Sequence, residues 1–147
     1  MLLGNHDRAR ELLAVVIAQT GDPEFLAMLA ELEDRAGNAR AAEDARAQAV
    51  GAYEALLARH PAAYAAHAAE FFLEIGQIER ARQLAQSNLA LRTDWQAYLL
   101  AAQVALAAGE NANACAQFQA AASQPLSPPE IQAFRAQLEL ASAACDG

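Results

Sequence analysis

The chain predicts an all-α fold of about eight helices, arranged as a stack of antiparallel hairpins. Three observations carry this expectation. Alanine, the strongest helix former, supplies 41 of the 147 residues. No stretch combines β-branched richness with period-two alternation, so no sheet is expected. Third, residues 62–126 read as two tandem copies of one helix–turn–helix unit. Aligned on Gly76 and Gly109, 33 residues apart, each copy has an alanine-rich apolar helix, a glycine, a polar turn and a second helix. A period in the low thirties built from such units marks a solenoid, in which neighbours stack because no unit buries its apolar face alone.

Glycines 4, 37, 76 and 109 set the phase, at spacings of 33, 39 and 33. On that phase the chain begins at the second helix of a repeat. Helix 5–19 carries Leu12, Leu13, Val16 and Ile17 on one face and lacks its hairpin mate. Gly21 and Asp22 end it and cap helix 23–36, with Pro23 in the first turn, where a missing N–H costs nothing. The segment 38–59 holds no proline and only Gly51 as an interruption, so it reads as one long helix or as a helix bent at Gly51. Its extra length accounts for the spacing of 39. His60–Pro61 stops it. Helices 62–75, 77–91, 95–108 and 111–123 form the two tandem repeats, with Asp94 as an N-cap. Ser127-Pro-Pro-Glu130 has the form of a capping box, opening a helix over 128–145. That helix carries Ile131, Phe134, Leu138, Ala141 and Cys145 on one stripe and a polar opposite face, as a terminal cap requires. The whole is expected to be a single domain, 1–147: a half-repeat 1–21, repeats 22–61, 62–94 and 95–126, and a cap 127–147.

The net charge is −8, and all ten basic residues are Arg. An acidic surface repels phosphate backbones, which argues against nucleic acid. An alanine-rich, lysine-free composition is associated with high-GC bacterial genes. The longest nearly uncharged run, 93–109, is too short and too polar to cross a bilayer. The N-terminus lacks the basic start and apolar core of a signal peptide, so the cytoplasm is expected, or the periplasm if an upstream segment is missing. Cys115 and Cys145 form no CxxC. If the last two helices run antiparallel from a turn near Pro125, Cys145 lies about 13 Å past the point opposite Cys115. Disulfides need Cα atoms within about 7 Å, so two free thiols are expected.

The repeats resemble tetratricopeptide repeats. In the last one, Tyr98, Ala101, Ala102 and Ala105 match the first helix of that pattern, Ala114, Phe118 and Ala121 the second, and Pro125 the closing proline. In the repeat before, Ala65, Ala68, Ala69 and Phe72 match, followed by Ala81. There the aromatic position is Ala85, and Asn88 departs as well. Ala9, Leu13 and Val16 fit a second-helix half. In the long helix Ala42 fits counting from Gly37, but the aromatic position is then Arg46; counting from the helix end, Ala49, Tyr53 and Leu56 fit instead.

The resemblance implies a right-handed superhelix whose first helices line a concave groove for protein or peptide segments, with no cofactor and no catalysis. The matching groove positions are Ala27, Glu31 and Asp34; Ala66, His67, Glu70 and Leu73; and Leu99, Gln103 and Leu106. They run from acidic to apolar. The Lys/Asn clamp that some members use for a terminal carboxylate is absent, so the expected ligand has apolar anchors and Arg or Lys. The bland alternative is an ordinary solvated face. His60, His67, Glu70 and Glu74 are compatible with a weak metal site, but no HExxH-type signature supports one, and polar groove-lining residues are the favoured reading. Trp95 packs at a repeat boundary, under the helix before it, or anchors a partner. The unpaired face of the N-terminal half-repeat offers a second role, self-assembly through apolar helix faces, including a homodimer.

Overall fold

The computed structural model describes residues 2–126, 128–141 and 145, with backbone alone at 2–4. Among these residues there are eight α-helices and no strand: α1 (Leu2–Thr20), α2 (Pro23–Arg35), α3 (Ala39–Arg59), α4 (Pro61–Glu74), α5 (Ile78–Leu89), α6 (Trp95–Ala107), α7 (Asn111–Ala122) and α8 (Pro129–Leu140). The chain divides into two compact units, Met1–His60 and Pro61–Gly147.

Three corners share one geometry. Gly37, Gly76 and Gly109 have φ of 78°, 77° and 75°. The residue after each, Asn38, Gln77 and Glu110, has φ of −93°, −83° and −88° with ψ of 64–65°. The hydrogen bonds also repeat: the glycine N–H donates to the carbonyl three residues back, and the next N–H to the carbonyl five back, as in Asn38 to Glu33 and Gln77 to Phe72. This is the glycine-terminated helix end, which an L-residue adopts only under strain. Seven residues before each glycine stands a buried alanine (Ala30, Ala69, Ala102), and five after it another (Ala42, Ala81, Ala114). With methyl groups on both arms the two helix backbones approach closely. Gly4 does not belong to this series. It lies inside α1, and the corner between α1 and α2 is Gly21, with φ 62°.

In the first unit α2 and α3 form a hairpin, and α1 packs along α2. Asp22 caps α2 by accepting from the Glu24 N–H at 3.0 Å. α3 runs unbroken through Gly51 and buries Ala42, Ala45, Ala49, Tyr53 and Leu57. Both alanine registers of this helix are therefore in use, one at each end. Arg46, which stands where an aromatic side chain was expected, pairs with Asp34 of α2.

In the second unit α4 pairs with α5 and α6 with α7. Pro61 is the first residue of α4 and not merely a stop for α3, a position where proline lacks nothing. Asp94 caps α6 through the Ala97 N–H at 2.9 Å. α6 touches α4 on one side and α8 on the other, so α4, α6 and α8 lie in a row. The core under α8 joins Leu99, Ala102, Ala105, Phe118, Ile131, Phe134 and Leu138. Trp95 packs against this cluster of α6, α7 and α8, whereas the sequence suggested packing under the preceding helix.

Two expectations for the C-terminus, the end of the last helix and the free thiols, are corrected. α8 starts after Pro128, which makes no side-chain capping bond; Ser127 of the expected capping box lies outside the described residues. α8 also ends at Leu140, not at Cys145. The free-thiol expectation assumed a straight helix to residue 145. With the helix ending five residues earlier, Cys145 reaches Cys115 of α7, and the two form a disulfide with Cα atoms 5.3 Å apart.

Candidate functional site

The row α4–α6–α8 encloses an open cavity of about 540 Å³. α4 contributes Glu70, Leu73 and Glu74, and α6 contributes Gln103, Leu106 and Ala107. Each trio follows i, i+3, i+4 spacing, which puts its members on one helix face. The second trio is the first advanced by 33 residues, so one corner geometry, used twice, aims both at the same space. α8 closes the site with Phe134 and Gln137. Leu73 and Leu106 are half-buried, Phe134 is buried, and Glu70, Glu74 and Gln137 are exposed. The result is an apolar floor with two carboxylates and two amides at the rim, and no basic residue in the lining.

The expected groove residues separate as follows. Glu70, Leu73, Gln103 and Leu106 line this cavity together. Ala66 and His67 lie a turn earlier on α4, outside the lining. His67 is exposed, with Nδ1 3.9 Å from Glu70 Oε2. Leu99 is a correction: it is 6% exposed and packs in the core with Ile131, Phe134 and Leu138. The equivalent residue of α4, Ala66, is half-buried. At Leu99 the apolar stripe of α8 covers the position instead. Ala27, Glu31 and Asp34 belong to the first unit. There Glu31 pairs with Arg35, and Asp34 with Arg46, so both carboxylates have local counter-charges.

Phe134, Gln137 and Ala107 were not expected in the groove. Phe134 is expected on the cap's buried stripe, and Gln137 falls on its polar opposite face. Both hold, and the groove lies where those faces meet. His60 caps the end of α3 and directly precedes α4, whose later turns carry His67, Glu70 and Glu74. Among the described residues no group of three or more His, Cys, Asp or Glu side chains could hold a metal ion.

Two carboxylates outside the groove are strongly organised. Glu33 of α2 is 4% exposed and accepts from Arg10 Nε at 2.5 Å, Arg10 Nη2 at 3.0 Å and Asn38 Nδ2 at 2.7 Å. Arg10 first, then Asn38, hold its carboxyl below the ordinary range, against the opposing effect of burial. Arg10 also donates to Asp7 at 2.7 Å, and both carboxylates raise its own already high pKa. Glu110, at the corner into α7, accepts from Asn113 Nδ2 at 3.0 Å and Arg82 Nη1 at 2.6 Å. Its carboxyl is likewise held low. Sequence reading missed the Arg10–Glu33 contact because its partners are 23 residues apart. The only signal was a charge at a position where the other hairpins place Phe72 and Ala105.

No helix among the described residues is long and apolar enough to cross a membrane. The chain matches no protein-family model, no curated protein and no solved structure.

Proposed function

We propose that this chain is a tetratricopeptide-like binding module, not an enzyme, that holds a protein or peptide segment in the α4–α6–α8 groove. The observation that carries the reading is the lining itself. Leu73, Leu106 and Phe134 offer apolar contact, and Glu70 and Glu74 place carboxylates at the rim of a lining that contains no basic residue. A segment with apolar anchors and Arg or Lys is complementary in both respects. The disulfide bears on the setting. Such bonds persist in oxidising compartments, so in a cytosol the same chain would carry two thiols.

Titration of labelled peptides of equal length, one apolar and basic and one apolar and acidic, tests this. The basic peptide should bind tighter and lose affinity with salt. Glu70→Gln with Glu74→Gln should weaken it roughly two- to tenfold. Leu73→Arg with Leu106→Arg should abolish binding while helix content is kept. Equal binding of the acidic peptide would remove the charge argument.

A second reading, self-assembly, is favoured by one observation. Leu12 and Val15 on α1 and Met28 on α2 are 57%, 55% and 53% exposed. Leu12 and Val15 are three residues apart, on one face. Light scattering over a hundredfold concentration range separates the two. A mass that rises with concentration and returns to monomer in Leu12→Glu/Val15→Glu supports assembly, whereas a constant monomer mass rejects it.

A further inference from the structure

The geometry points to the Cys115–Cys145 disulfide as a redox latch on α8: a dithiol that reduces it releases the helix, and with it one wall of the groove. Twelve residues is a marginal length for a helix on its own, so α8 depends on what it packs against. Non-covalently it is held by the stripe Ile131, Phe134 and Leu138, with Arg135 lying over the Phe118 ring at 5.5 Å. The seam between α7 and α8 is not filled. A cavity of about 410 Å³ remains there, bordered by Phe118, Leu138 and Cys145. The bond lies at this same seam. It ties the chain beyond the C-terminus of α8 back to the middle of α7 and closes a 30-residue separation. Both cysteines are only half-buried. The covalent tie therefore borders an unfilled cavity of the α7–α8 seam and is within reach of a small thiol.

The exchange balances without any further reagent. One thiolate of the dithiol attacks a sulfur of the pair and forms a mixed disulfide, and the second displaces the protein sulfur. The dithiol leaves oxidised, and its two protons end on the Cys115 and Cys145 thiols. Release of α8 takes Phe134 and Gln137 from the groove and uncovers Leu99 and Phe118. Only this consequence for ligand binding rests on the proposed function; the latch itself does not.

Amide hydrogen exchange on the full chain, without ligand, tests it. The oxidised protein is compared with protein in dithiothreitol and with Cys115→Ser. Amides of residues 131–140 should exchange roughly 30- to 1,000-fold faster in both of the latter, the range expected for losing one such cross-link. Amides of α4, α5 and α6 should change less than threefold, and dithiothreitol should add nothing to Cys115→Ser. Unchanged exchange in α8 overturns the proposal. So does equal acceleration throughout the second unit, which would make the bond a staple for the whole unit, or a response of Cys115→Ser to dithiothreitol. Because no peptide is present, failure of the groove reading leaves this outcome intact, and the reverse.

Discussion

Glu33 is a carboxylate at a position where the other two hairpins carry Phe72 and Ala105, all three buried. A lone buried charge is costly, and the fold meets that cost from two sides, with Arg10 from α1 and Asn38 from the corner. The ion pair thereby fixes where α1 lies along α2. Because the folded-state pKa is depressed below its ordinary 4.5, Glu33 contributes stability above that value. The contribution is lost as pH falls through the lowered folded pKa. Acid titration followed by exchange of α1 and α2 amides should show the first unit loosening below about pH 4.5. Glu33→Gln should be less stable at neutral pH and show a shallower loss in acid. Glycines divide by conformation. Gly51 is helical, and a Cβ built there meets nothing, so Gly51→Ala should add about 0.5–1 kcal/mol in chemical denaturation. Gly76→Ala also meets no atom, but its φ of 77° should make it destabilising by about 1–2 kcal/mol. Equal effects of the two would contradict the assignment of Gly76 as a left-handed corner.

At the scale of elements, small residues do the positioning and a few large ones fill the gaps. Phe118 of α7 meets Phe134 of α8 at 5.9 Å between ring centroids. Phe118→Ala should cost about 3–5 kcal/mol in thermal or denaturant unfolding. Ala69→Leu, at a fully buried position facing the hairpin partner, should cost about 1–3 kcal/mol through overpacking. Helix positions were largely legible in the sequence because glycine, proline and capping Asp act locally. Gly76 and Gly109 end helices where expected, and Asp94 begins one. What was illegible depended on distant partners or on chain direction after a helix. The phase assigned to Gly4 failed because a glycine inside a helix and a glycine at a corner look alike in one sequence; the neighbours of Gly21, Asp22 and Pro23, were the better sign. The disulfide was missed because the end of α8 has no glycine or proline to mark it. Leu99 was misplaced because only the packing of α8 decides whether that face is wet.

At the scale of the whole molecule, the proposed binding role depends on how much of the groove is a repeat property and how much belongs to the cap. Glu70, Leu73 and Glu74 reappear 33 positions later as Gln103, Leu106 and Ala107, so charge fades along the groove while shape persists. A ligand should therefore place its cationic residue near α4 and its apolar residues toward α6 and α8. Exchanging the order of basic and apolar residues in a bound peptide should lower affinity severalfold at constant composition. Glu70, Leu73, Gln103 and Leu106 were legible through the resemblance to tetratricopeptide repeats. The contribution of α8 was not, because a cap has no copy of itself elsewhere in the chain.

The corners at Gly76 and Gly109 have a further consequence. Because the chain leaves each with the same backbone angles and on the same pattern of bonds, excising the 33 residues 77–109 would splice helix to helix through an unchanged bend. Duplicating them would lengthen the stack by one unit in the same way. Such a protein can change its reach by whole modules, and intermediate lengths would leave a joint that does not fit.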